Sequence, residues 1–253
     1  MGFFVNVVHS PKRRAESLLS KEGICDTVLV LNQYLAGIKM IVTVGGIKGG
    51  SGKTTVATNL AVILSQQGQD VLLIDADDQE TSSDFTNLRN EKLEEGAGYT
   101  SIKLTGPAVR TETLRLKQKY QDIIIDTGGR DTTSQRAALS VSDVLLVPFV
   151  PRSFDVWTLE KVSGLVGEMS SANANLRAYT FINRADPRGS DNEDAAEVLK
   201  DTSTLSFIPT PIGGRKAFSN AAAEGLGVTE LKPQDPKATE EIMALFRYIF
   251  NTK

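Results

Sequence analysis

The run Lys48-Gly49-Gly50-Ser51-Gly52-Lys53-Thr54-Thr55 packs three glycines, two lysines and three hydroxyl side chains into eight residues. Small residues let successive backbone N–H groups turn towards phosphate oxygens, and a helix starting there adds the positive end of its dipole. In such a cradle Lys53 reaches the β- and γ-phosphates and the Thr54 hydroxyl faces Mg²⁺. Gly49, Gly50, Ser51, Gly52 and Thr55 complete the expected phosphate-binding set. Two carboxylate-bearing segments complement it. Val71-Leu72-Leu73-Ile74-Asp75-Ala76-Asp77 is an apolar run ending in acids, with Asp77 standing 24 residues after Lys53. Asp122-Ile123-Ile124-Ile125-Asp126-Thr127-Gly128-Gly129 has the form of a strand whose final carboxylate, Asp126, holds the hydration shell of a metal.

These groups need strands that end together. Met40-Ile41-Val42-Thr43-Val44 reads as a buried strand feeding the glycine-rich turn, and 71–74, 123–125, 144–147, 178–182 and 205–208 are further strand candidates. Helices are expected over Thr54–Gln67, ended by Gly68, and over Thr239–Phe250. Residues 81–121 read as polar and irregular. The alternation of strands and crossover helices predicts an α/β fold with a doubly wound, mostly parallel sheet, its chemistry at the carboxyl ends of the strands.

Ile47 stands where the general phosphate-loop motif has glycine, and a second lysine, Lys48, precedes the glycine pair. This resembles the deviant Walker A motif of the ParA/MinD family of dimeric P-loop ATPases, and the likeness extends over roughly residues 40–250. The resemblance implies that Lys48 crosses a nucleotide-sandwich dimer to the partner's ATP. It implies that Asp77 positions the attacking water, that Asp75 supports the metal environment, and that Asp126 is the metal-side acid. Asp78 stands where the family usually has proline. Gly128-Gly129 resembles switch II, and 149–155 loosely matches a segment leading into a helix at the dimer face. Trp157 in that helix is read as a core or interface anchor. Asn183 and Pro209 fall at strand ends where the family recognises adenine, though an asparagine there is equally a turn residue. Arg184, Arg188, Arg215 and Lys216 are either a DNA-facing patch or scattered solvated charges.

Composition sets the outer bounds. Of 253 residues 40% are hydrophobic and 23% charged, enough for a core without covalent staples. Cys25 is the only cysteine, which excludes disulfides and thiolate clusters within the chain and points to the cytoplasm. No run of 18 apolar residues occurs, and the start lacks the positive charge that precedes a signal-peptide core. Asn6 replaces the Ser or Thr of a myristoylation motif. Net charge is −3, divided as +2 over residues 1–39 and −5 over 40–253, so DNA binding requires a local patch. Residues 1–39, with His9, are expected to be a flexible extension or a partner- or DNA-binding arm, and residues 40–253 the ATPase domain.

The resemblance implies a Mg²⁺-dependent ATPase whose ATP-bound dimer binds DNA without sequence preference. A ParB-like or other adaptor protein would stimulate hydrolysis, in plasmid or chromosome partitioning on the nucleoid. Positioning of a protein cargo or of the division machinery is the alternative within the family. A metabolic ATP-dependent ligase is the alternative on the same fold. A membrane cycle is disfavoured because Ile242, Leu245, Phe246 and Ile249 form a core-type stripe flanked by Glu240 and Glu241.

Overall fold

The computed structural model describes residues 39–250 apart from 152–155 and 189. The expected extension, with Cys25 and His9, lies outside the described residues but for Lys39, as do Arg152–Asp155 of the segment before Trp157. Strands β1 (Met40–Val44), β2 (Val71–Ala76), β3 (Thr100–Lys103), β4 (Asp122–Thr127), β5 (Val144–Phe149), β6 (Arg177–Ala185) and β7 (Ser206–Phe207) form a parallel sheet in the order β3-β2-β4-β1-β5-β6-β7. A two-residue strand, β8 (Ile212–Gly213), pairs with β6 beyond β7.

The helices are α1 (Lys53–Gln66), α2 (Thr81–Lys92), α3 (Ala108–Leu116), α4 (Thr133–Leu139), α5 (Val156–Ala172), α6 (Asp191–Lys200), α7 (Lys216–Ala223) and α8 (Pro236–Phe250). Strands covered on both faces carry apolar residues in succession, and here alternate residues divide between two layers. Val42, Leu73, Ile124 and Leu146 pack with α1, α7 and α8. Ile41, Leu72, Ile74, Ile123 and Ile125 pack with α3 and α4 on the opposite face, and Leu145, Val147 and Ile182 with α5 and α6. This is the expected doubly wound architecture. Its central pair, β1 and β4, carries the phosphate loop and Asp126.

Two expectations are corrected. Residues 81–121 are not irregular: they hold α2, β3 and α3. The α2 sequence TSSDFTNLRNEK has no apolar stripe because its buried positions include Ser82, Thr86 and Arg89. Arg89 donates to the carbonyls of Ala97 and Gly225 and makes a bidentate pair with Glu230, tying α2 to the 3-10 turn Val228–Glu230. The last helix begins at Pro236 rather than Thr239 because Asp235 Oδ1 accepts the N–H groups of Lys237 and Ala238, both at 3.1 Å. An aspartate cap followed by a first-turn proline is the sequence signal for that start.

Candidate functional site

The loop between β1 and α1 closes on itself around Lys53. Gly52 caps α1 with φ +88°, a conformation that favours glycine, and the Asn183 side chain donates to the Ser51 carbonyl at 2.7 Å beside it. Lys53 is almost wholly buried and its Nζ donates to the Lys48 carbonyl at 2.9 Å, which seats the ammonium inside the loop. Burial lowers the Lys53 pKa, while the charges of Asp126 and Asp77 pull it back up. Lys48 is itself half-buried, and Gly49 and Gly50 are exposed at the loop's tip.

Register brings the acids to this lysine. Asp126 pairs in the sheet with Val44 of β1 and with Asp75 of β2, so three strand ends stand on one rung. Asp126 is fully buried and neither of its oxygens has a hydrogen-bond partner. Burial pushes its carboxyl up to about 7, an effect opposed by the Thr54 hydroxyl and Lys53 and reinforced by Asp75 and Asp77. The Thr54 hydroxyl bears on Asp126 without meeting hydrogen-bond geometry. Two orphaned carboxylate oxygens beside a threonine hydroxyl are what a hydrated Mg²⁺ accepts, since that ion keeps several waters and takes few protein ligands besides phosphates. The residues fit the ion, with Asp126 and Thr54 on its protein side.

Asp75 is differently employed. Its Oδ1 accepts the Asp77 N–H at 3.1 Å, and its Oδ2 accepts the N–H and hydroxyl of Ser83 at 2.8 and 2.7 Å. It anchors the loop after β2 to the first turn of α2, and thereby places Asp77. The Asp77 carboxylate lies against Gly128, with Oδ1 2.9 Å from where a β-carbon there would sit. Gly129 approaches the phosphate loop more closely still: a β-carbon on it would lie 2.7 Å from the Gly49 nitrogen. Only glycine permits that contact, so the segment after Asp126 touches the loop directly.

Beyond Gly52, a groove of about 530 Å³ runs from Thr55 past Asn183 and Arg184 to Gly213, Arg215 and Ile242. Its size suits a nucleoside. Asn183 lines it while bracing Ser51; Pro209 is exposed and outside the lining. Of the four expected DNA-facing residues, Arg184, Arg188 and Lys216 are exposed, whereas Arg215 is ion-paired with Glu241 at 2.6 Å. Trp157 is 73% exposed and so is no core anchor. Sequence reasoning missed Gln135, whose buried Oε1 accepts the Gly46 N–H at 3.4 Å and the Thr127 hydroxyl at 3.2 Å. A polar residue in a helix carries no local signal of such a role.

A family model described as the CobQ/CobB/MinD/ParA nucleotide binding domain matches residues 42–228. The chain is 25% identical over 201 residues to the maintenance of carboxysome distribution protein A of Halothiobacillus neapolitanus, covering 79% of this chain and 91% of that protein. To the protein of the same name from Gloeobacter kilaueensis it is 30% identical over 196 residues, covering 76% and 85%. The fold is shared with an ATP complex of Cyanothece McdA, at a TM-score of 0.71 and 18% identity over 86% of this chain and 98% of that one. It is shared also with a plasmid partition protein from Borrelia burgdorferi, at a TM-score of 0.59 and 19% identity over 85% and 100%.

Proposed function

We propose, from the premise that the chain belongs to the CobQ/CobB/MinD/ParA nucleotide-binding family and is a ParA/MinD-type ATPase, that it works as an ATP-switched dimer on DNA. With ATP bound, two subunits close face to face, the dimer binds DNA without sequence preference on the nucleoid, and an adaptor protein stimulates hydrolysis and release. The observation that carries this reading is the convergence of Lys53, Asp77 and Asp126 beneath a loop that holds a second lysine, Lys48. Residues 40–253 are the switching domain and 1–39 an appendage to it.

Each group has a defined task. Lys53 and the loop N–H groups neutralise the phosphates, Asp126 and Thr54 would hold the hydrated metal, and Asp77 orients the attacking water. Mg²⁺, when bound, offsets charge on the β- and γ-phosphate oxygens. Gly129, resting on Gly49, is where loss of the γ-phosphate reaches the segment after β4. The Asp77→Ala chain binds ATP and dimerises without turning over, and therefore accumulates on DNA. Co-sedimentation with DNA in ATP checks this, the variant being retained more than the parent.

DNA affinity falls linearly with salt on logarithmic axes, with a slope of about 0.9 per phosphate neutralised, and needs ATP rather than ADP. Equal retention with ATP, ADP and no nucleotide defeats the switch. Plasmid or chromosome partitioning is the first use we assign. Positioning of a protein cargo is the second, favoured by relatives named for carboxysome distribution. Adaptor stimulation of turnover separates both from a metabolic ligase, whose turnover instead follows a small substrate. The Ile242, Leu245, Phe246 and Ile249 stripe of α8 is buried in the core rather than free to lie in a membrane surface, which weighs against a membrane cycle run by that helix; among the described residues no helix is long and apolar enough to cross a membrane.

A further inference from the structure

We infer that Glu241, on the C-terminal helix α8, is the positioning residue for the nucleoside end of the nucleotide site, acting through Arg215 and the Gly213 backbone. The inference deepens the nucleotide-binding reading and rests on it. Glu241 Oε2 accepts the Gly213 N–H at 3.0 Å and the Arg215 Nε–H at 2.9 Å, while Oε1 accepts from Arg215 Nη2 at 2.6 Å. One carboxylate therefore holds three donors of the segment that forms the groove's far wall. Charge-assisted bonds of this kind are roughly twice as strong as neutral ones, and this pair is only partly exposed, at 30% and 23%.

Ile212, Ala217 and Phe218 pack the inner side of that wall into the core, but its rim has few backbone ties. Strand β8 is two residues long, and its pairing with β6 is irregular between Asn183 and Ala185, where Arg184 takes φ +54°. Past β8, the segment is held to β6 by the Gly214 N–H, which donates to the Ala185 carbonyl at 3.0 Å. The residue after Glu241, Ile242, lines the same groove from the same helix. Helix α8 thus supplies the ionic tie that keeps the opposite rim at a fixed distance, with the wholly buried Ile242 anchoring that helix in the core beneath the groove. The phosphate end, at Gly49–Thr54, is built from other elements. Arg215 is consequently a pocket residue whose charge is matched by Glu241.

Two ligands separate the ends of the site: ADP, which needs both, and inorganic tripolyphosphate, which needs only the loop. With the full chain in a calorimeter, Glu241→Ala and Arg215→Ala each weaken ADP about ten-fold. The double variant loses no more than either single change, because both remove one interaction. Tripolyphosphate affinity stays within about two-fold throughout, a result that general damage to the fold does not give. Glu241→Gln, which keeps the shape and part of the bonding, loses about three-fold, and the exchanged pair Arg215→Glu with Glu241→Arg recovers part of the loss. ADP affinity unchanged in Glu241→Ala, or tripolyphosphate weakened in parallel, overturns the assignment. Lys53→Ala run alongside tests the underlying reading: if it leaves both ligands bound as before, the nucleotide site itself is misplaced.

Discussion

Lys53→Ala weakens ATP at least about 100-fold, whereas Lys48→Ala keeps ATP within about three-fold and lowers turnover about 100-fold. The difference follows from placement. Lys53 sits buried within its own loop, bonded to the Lys48 carbonyl and facing Asp126 and Asp77, so its loss leaves phosphate charge without a local counterpart. The Lys48 backbone shapes the same loop, and alanine retains that backbone. What alanine removes is a charge assigned to the partner's nucleotide, and an electrostatic donor lost from a reacting centre typically costs about 10²–10³ in rate. Calorimetry with ATP, phosphate release, and sedimentation in ATP with Mg²⁺ measure the three quantities. The Lys48→Ala chain sediments as a monomer. Full turnover by that variant as a monomer removes the sandwich dimer from the mechanism.

Asp126→Asn stabilises the nucleotide-free protein at pH 8 by at most about 4 kcal/mol and has no such effect near pH 4. The carboxyl is raised from 3.8 to about 7 by burial. The folded chain therefore holds a proton there between those values while the unfolded chain has released it. Stability consequently falls as pH rises through that window, and the penalty is complete above it. Asparagine carries no charge to desolvate. The order reverses with ligand: Mg²⁺ and ATP raise the melting temperature of the parent at pH 8 far more than that of Asp126→Asn. Melting curves at pH 4 and pH 8, with and without Mg²⁺ and ATP, give the comparison, and a variant less stable than the parent at pH 8 without ligand contradicts the account.

The phosphate loop and the strands flanking it were legible because strands buried on both faces are written as unbroken apolar runs, and because the Gly-Lys-Thr ending follows directly on one. Asp75 was legible as a strand-end acid, but its partner Ser83, eight residues on, was not: a serine in a polar helix looks solvated. The same holds for Glu241, which reads as a charged flank beside a buried stripe until β8 is placed next to it. Strand β8 left no trace, since two residues give no period. Helix α2 was lost because its buried face holds Arg89, and the ion pair that makes such burial tolerable reaches 141 residues along the chain to Glu230. Short-range pattern finds elements that bury hydrocarbon and misses those held by distant polar partners.

The Arg89 clamp bears on which parts of the chain can open independently. By bonding Ala97, Gly225 and Glu230 at once, it makes the polar helix after Asp77 and the turn before the last helix a single cooperative unit for exchange with solvent. The Asn59 side chain extends that unit to α1, accepting the Val228 N–H at 2.8 Å and donating to the Thr55 carbonyl at 2.7 Å. Amides of α2 and of 225–230 accordingly share one opening free energy, while the amides of Asp77, Gln79 and Glu80 are held within their own turn, by Asp75 and Asp77, and open without the clamp. The turn that carries Asp77 can thus open as a unit of its own while the clamped frame stays closed.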